Sequence, residues 1–504
     1  MALSRHIFCV ALLFTLPFFL MTAAAASDQP QWGQCFSRNM VSEEAGLPAS
    51  FDPQTGHNVL WTAPLGGGCY SSAIVAEGCV FIGCNNSDPK DPHQQGDRGT
   101  LYCLNEKDGS LKWQLLVPRI GGDDFLDWPG IGICSPPTVE NGRVYTMTNR
   151  TEVVCLDLAG MTDGNGGVFQ EEGRHMTPAG SPAVEPGAAD ADILWLYDLR
   201  NELGVYPHDS PHTSILIDGD FLYLNTCNGT TNTHREIGNP EAPAFIVLNK
   251  HTGRLVAQER EGMSRRMFHS TWAPPSLGEV QGKRLIFFGG PDGICYAFYA
   301  LKQQVYETVQ DLELCWRFDC DPTAPKENVF DYLNNNKEGP SLIMSMPVFM
   351  NGRIHVTAGG DIWWGKRQSW LKCVDPAGTG DVTAAKEIWS YEIPYQCSST
   401  PAVTADLVFV GDDGGQLHCV DAKTGGACWV HKFGRKIWGS ALVADGKVFA
   451  AGRNGTLAVF ENSREKKLLW ETRFPEEING TPTAANGVLY VATLSRLYAL
   501  KAMD

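Results

Sequence analysis

The chain repeats one phrase, and that repeat limits its fold more than any other feature. Leu417-His418-Cys419-Val420-Asp421-Ala422-Lys423-Thr424-Gly425 runs on to Trp429, and Leu101-Tyr102-Cys103-Leu104-Asn105-Glu106-Lys107-Asp108-Gly109 runs on to Trp113. Val153-Val154-Cys155-Leu156-Asp157 and Leu371-Lys372-Cys373-Val374-Asp375 copy its first half. Upstream of each copy lies a second phrase: a small or proline-bearing start, an apolar pair, a turn, then a β-branched or aromatic run. Thr400-Pro401-Ala402-Val403 with Val408-Phe409-Val410 is one example. The turn recurs eight times, at Gly78, Gly142, Gly219, Gly282, Gly352, Asp406, Gly446 and Gly487. Late copies are compact and early ones carry insertions. Period-two patterning between turns predicts four short strands per unit. Four-stranded units repeated radially make a β-propeller, so the expected fold is all-β with eight blades.

The chain ends indicate how such a ring closes. The eighth unit stops at Tyr498-Ala499-Leu500-Lys501, after its third strand, while Asn58-Val59-Leu60-Trp61-Thr62 precedes the first unit. That N-terminal strand is expected to complete the last blade, leaving no open edge. Seven units carry a tryptophan on the outer strand (Trp61, Trp113, Trp195, Trp316, Trp389, Trp429 and Trp470), and the third has Ala257 there. These indoles are expected to wedge between blades. Cys103, Cys155, Cys373 and Cys419 are aligned with Ala458 and Ala499 as one recurrent small core position, where cysteine acts as a small hydrophobe.

Residues 1–26 read as a signal peptide. Arg5 and His6 precede an apolar run from Ile7 to Met21, and Ala24-Ala25-Ala26 offers small residues for cleavage before Ser27. Residues 27–50 form a lead-in and 51–504 the propeller. The chain is expected to be exported, soluble in the periplasm or outside the cell, not membrane-spanning after cleavage, and monomeric. Of its 16 cysteines, Cys9 lies in the leader; the remaining odd number cannot all pair. A net charge of −17, with no lysine- or arginine-rich run, excludes nucleic acid as a partner class.

The phrase ending in Asp-x-x-Thr-Gly-x-x-x-Trp resembles the repeat of pyrroloquinoline-quinone (PQQ) propellers, the quinoprotein alcohol dehydrogenase-like superfamily. Trp32-Gly33 with Ser37-Arg38-Asn39, Asn201-Glu202-Leu203-Gly204-Val205-Tyr206-Pro207-His208-Asp209 and Ile437-Trp438-Gly439-Ser440 resemble segments of exported PQQ-like repeat proteins of planctomycete-type bacteria. The superfamily holds dehydrogenases that carry PQQ and calcium on the propeller axis, and also a non-enzymatic propeller of the outer-membrane barrel-assembly machine. Fold does not choose between them.

Residues must choose instead. In the dehydrogenases a calcium-binding asparagine lies in a Thr-Gly-Asn-Gly loop, and Thr226-Cys227-Asn228-Gly229 looks similar. The stretch from His269 to Pro275, where the resemblance implies a further aspartate, holds no carboxylate, and the chain has no adjacent Cys-Cys pair. The expected function is therefore a non-catalytic binding or protein-interaction scaffold with no cofactor. A PQQ- and calcium-dependent alcohol or sugar oxidoreductase is the alternative. Long linkers on one face form an axial funnel, the expected site for a protein partner or a small-molecule or carbohydrate ligand. The candidate residues there are His208, Asn228, Arg266, His269, Trp272, Asp361, Trp364 and Trp438. No catalytic residue and no metal ligand is assigned.

Overall fold

A computed structural model of the protein describes residues 27–503; the expected signal peptide lies outside the described residues. Eight antiparallel sheets follow one another along the chain. Blade 1 runs from its inner strand Ile74–Ala76 through Cys79–Asn85 and Arg98–Asn105 to the outer strand Leu111–Pro118. In blade 8 the strand Val59–Pro64 pairs with Arg496–Leu500, so an N-terminal strand supplies the outer edge of the last sheet. Two blades depart from four strands. Gln310–Asp311 adds in parallel to blade 3, and Gly380–Asp381 to blade 4.

The core is divided among the junctions. Each of eight buried apolar clusters lies between two neighbouring blades. The one joining blade 8 to blade 1 sets Tyr490 and Ala499 against Val80 and Tyr102. A ring in which every blade buries both faces against neighbours needs no caps.

The tryptophan phrase has a definite job at these junctions. A β-bulge follows the same third-strand position in seven blades, and Val59–Trp61 breaks register in blade 8. Such a bulge re-aims the neighbouring side chain. Each of the seven indoles donates its Nε1–H to a backbone carbonyl beyond its own sheet: Trp61 to Glu106, Trp113 to Leu158, Trp195 to Lys250, Trp316 to Pro376, Trp389 to Ala422, Trp429 to Ser463 and Trp470 to Phe51, at 2.8–3.1 Å. Turn glycines lie under several of these rings. Gly425 has φ +73°, and a Cβ there would sit 2.8 Å from Trp389. Where Ala257 replaces tryptophan, the junction is filled by Phe245 stacked on Phe288 at 4.5 Å and on Phe298 at 5.8 Å.

One alignment is corrected. Cys103, Cys155, Cys373 and Cys419 each pair with the wedge tryptophan, as Ala499 does with Trp61, but Trp470 pairs with Val459 rather than Ala458. Matching small residues shifted the sequence alignment by one, and a one-residue slip moves a strand side chain to the other face.

The lead-in does not trail along the surface. It lies against the inner strands and bonds to every blade in turn. Gln29 pairs with Val75 in both directions, the Pro30 carbonyl accepts from Val139, Arg38 donates to Ser214, and the Phe36 and Ser37 carbonyls accept from Leu277 and Phe349. The Asn39 amide exchanges two bonds with Val403, Met40 and Ser42 pair with Val443, and the Glu44 carboxylate accepts from Gly487. Inner strands otherwise present unpaired backbone groups to the axis, and buried groups of this kind need partners.

Candidate functional site

Above this plug lies a cavity of about 430 Å³. Trp32 of the lead-in contributes to its lining, and the linkers entering all eight blades contribute most of the rest, through residues such as Tyr70, Trp128, Asp209, Trp272, Met344, Ser398, Trp438 and Asn479. Trp363, Trp364 and His234 reach in from connections between second and third strands. The aromatic walls are continuous: Trp272 lies 5.3 Å from Trp363, which lies 6.1 Å from Trp438. The Arg453 guanidinium covers Trp438 at 3.7 Å, and the Trp438 Nε1–H donates to Asp413 at 2.8 Å. These contacts hold the indole against rotation.

Few polar groups face the cup, and several have no partner. Both amide atoms of Asn479, and the hydroxyls of Ser210 and Ser398, are buried without a hydrogen bond. A buried amide left unpaired costs about 1–3 kcal/mol.

At one side of the cup three imidazoles converge. His208 and Asp209 sit in the linker into blade 3, His234 in a loop of that blade, and His269 in the linker into blade 4. The His208 and His234 Nε2 atoms are 3.0 Å apart, and the His208 Nδ1 faces the Thr230 carbonyl at 2.7 Å. The His269 Nδ1 meets the Asp361 carboxylate at 2.9 Å, and Asp361 also accepts from the backbone N–H groups of Trp363 and Trp364. A carbonyl and a carboxylate only accept, so both Nδ1 atoms donate and both Nε2 atoms face the cluster. Burial and the neighbouring histidines push His208 down to about 3, so its ring is neutral. Burial raises Asp209 to about 6, and Asp209 is held at φ 60°, a conformation unusual for a residue other than glycine.

The residues expected at the funnel divide into two groups. His208, His269, Trp272, Asp361, Trp364 and Trp438 line the cup or build its histidine wall. Asn228 and Arg266 do not line it. The Asn228 oxygen accepts from Tyr206, and its nitrogen donates to Asn239 and Ser264. Arg266 is bound to Asp292 and Tyr296. His234, Asp209, Asn479 and Trp32 also line the cup and are not among those candidates: His234 and Asp209 belong to segments expected on this face, while the repeat gives no sign for Asn479 or Trp32.

The dehydrogenase cofactor pair can be tested against these residues. The Asn228 oxygen is already engaged, no carboxylate lies between His269 and Pro275, and the cysteines from Cys35 onward are free thiols. Calcium needs about 6–8 oxygen ligands. Of the four cations near the funnel that could meet the quinone carboxylates, Arg265 is bound to Glu241, Arg266 to Asp292 and Lys436 to Asp413, while Arg435 forms no ion pair among the described residues. These residues do not fit calcium and PQQ as the resemblance would seat them.

A PQQ-repeat family model described as outer membrane protein assembly factor BamB matches residues 367–465 and 438–504, the compact late repeats. Outer membrane protein assembly factor BamB of Burkholderia pseudomallei (strain K96243) is 28% identical over 117 residues, 22% of this chain; the match spans 30% of that protein. BamB from Moraxella catarrhalis superposes with TM-score 0.51 at 12% identity, covering 88% of this chain and 97% of that one. The computationally designed Ika8 protein superposes with TM-score 0.52 at 10% identity, covering 88% and 99%. At such identities the structural likeness shows the fold. The chain is thus an eight-bladed β-propeller, and its late repeats are similar to the PQQ-repeat, BamB-type family model.

Proposed function

We propose that the protein is an exported, non-catalytic binding scaffold whose ligand seats in the axial cup. In this reading residues 1–26 are the cleaved leader, 27–50 the lead-in plug and 51–504 the propeller, and its nearer kin are the exported PQQ-like repeat proteins. No described helix is long and apolar enough to cross a membrane. One observation carries the reading: tryptophan walls surround unpaired polar groups on Asn479, Ser210 and Ser398. Aromatic faces stack on flat apolar surfaces, and a few convergent polar groups fix orientation. That combination suits a carbohydrate, which offers C–H faces and hydroxyls together.

The test is tryptophan fluorescence titration of the purified chain with a panel of neutral oligosaccharides. Saturable quenching that is lost in Trp364→Ala and weakened about tenfold or more in Asn479→Ala, which removes a buried hydrogen-bonding amide, is the expected result. No saturable response to any sugar in the panel would overturn the carbohydrate reading.

A further inference from the structure

We propose that His208, His234 and His269 bind one divalent first-row transition-metal ion in the wall of the cup, with Asp209 as a fourth ligand. One ligand atom from each histidine lies within 4.8 Å of the others. The 3.0 Å between the His208 and His234 Nε2 atoms is close to the edge of a zinc tetrahedron, about 3.3 Å for Zn–N bonds of about 2.0–2.1 Å. The Asp209 carboxylate stands 3.6 Å from the His208 Nε2 and 3.9 Å from the His269 Nε2, near enough to close on the same ion.

The surroundings are those a metal site requires. His208 is anchored through Nδ1 by a backbone carbonyl and His269 through Nδ1 by a carboxylate, the arrangement that orients a ligating imidazole and raises its basicity. The His269 Nε2 is buried without any hydrogen-bond partner. A packing role leaves that nitrogen desolvated and unsatisfied, whereas a cation satisfies it. Donors that are mostly imidazole nitrogen select zinc, copper, nickel or cobalt over calcium and magnesium. Asp209 and His234 also line the cup, so the ion would stand beside any ligand there. The proposal does not rest on the carbohydrate reading, since the site is complete without a ligand in the cup.

The experiment uses the full purified chain, stripped with a chelator and titrated with Zn²⁺ by calorimetry. A parallel titration with Co²⁺ is followed by visible absorption. One equivalent should bind, giving a four-coordinate Co²⁺ spectrum without thiolate charge transfer. Two variants probe the site: His234→Asn, because asparagine tolerates the φ of 54° at this position, and Asp361→Asn. The first should weaken binding about 100-fold or more, and the second, which loosens a ligand's anchor, about 10–100-fold. His93→Ala, on an exposed loop, should match wild type. Thermal midpoints of the metal-free variants within a few degrees of wild type show that binding, not folding, is read. Absence of stoichiometric uptake, a thiolate charge-transfer band, or a folded His234→Asn that binds like wild type would overturn the proposal. Sugar binding by the stripped protein is scored separately and bears only on the carbohydrate reading.

Discussion

The Arg38 guanidinium donates to both the hydroxyl and the carbonyl oxygen of Ser214, at 3.1 and 3.0 Å. It is fully buried and also donates to the carbonyls of Pro275 and Trp32. One side chain thus ties the lead-in to the approaches of blades 3 and 4 and fixes the backbone of the residue that lines the cup. Its charge has no carboxylate partner among these contacts, and burial lowers it to about 9.

Arg38→Met should destabilise the protein by about 2–4 kcal/mol, because it leaves buried carbonyls without donors. The shift in chemical denaturation midpoint measures it. Loosening of Trp32 should appear as altered tryptophan emission before global unfolding. An unchanged midpoint and spectrum would mean that the plug is held without Arg38.

Trp429 lies between blades 6 and 7, in contact with Phe409 and Phe460. Trp429→Ala should cost on the order of 3–5 kcal/mol, the range for large aromatic truncations in cores. Ala257→Ser, where the stacked phenylalanines fill the junction, should be much milder. A loss below about 1 kcal/mol at Trp429 would place the indole outside any packed core.

Gly425 and Gly446 both have positive φ, +73° and +67°, but nothing lies within 4 Å of a Cβ at Gly446. Gly446→Ala should therefore show only the backbone penalty, about 1–2 kcal/mol. Gly425→Ala adds the clash with Trp389 and should cost at least about 1 kcal/mol more. Equal losses in thermal unfolding would rule out the glycine–indole contact.

Burial raises the Asp127 carboxyl to about 7, against hydrogen bonds from Asn149 and Ile120 that oppose the rise. The folded state then holds a proton that the unfolded chain has released above about pH 4. This contribution is complete below the unfolded pKa and is lost as pH rises through about 7. Asp127→Asn should remove that part of the pH dependence, on the order of 4 kcal/mol between about pH 4 and pH 8. Denaturation midpoints of the two proteins across that range provide the check; parallel curves would refute the shift.

Supplied with PQQ and calcium, the protein should not reduce an artificial electron acceptor from alcohols or aldose sugars. Such catalysis needs a positioned base and a cation that polarises the quinone, and Asn228 is committed to Tyr206, Asn239 and Ser264. Turnover that requires both additions and disappears in Asn228→Ala would restore the dehydrogenase assignment.

The blades were legible in the sequence because strands, turns and wedges are set by local rules. Alternating side chains, the turn at Gly78 and its seven counterparts, and a tryptophan four residues after a turn glycine, as at Gly109 and Gly425, each act over a few residues. Even closure could be read locally, from a strand missing after Leu500 and one in excess before Tyr70. The same method failed at Ala458, where a small residue one place from Val459 mimicked the repeat. The cup was legible only in outline. The indoles of Trp272, Trp364 and Trp438 could be assigned to one face, but not their neighbours. No period links Gln29 to Val75 or Glu44 to Gly487, nor His208, His234 and His269 to one another and to Asp361. Those partners meet because a closed ring brings eight separate linkers to one axis, where buried polar groups must find partners across the fold. Local sequence therefore determined the blades, whereas the plug and the histidine wall were decided only by tertiary closure.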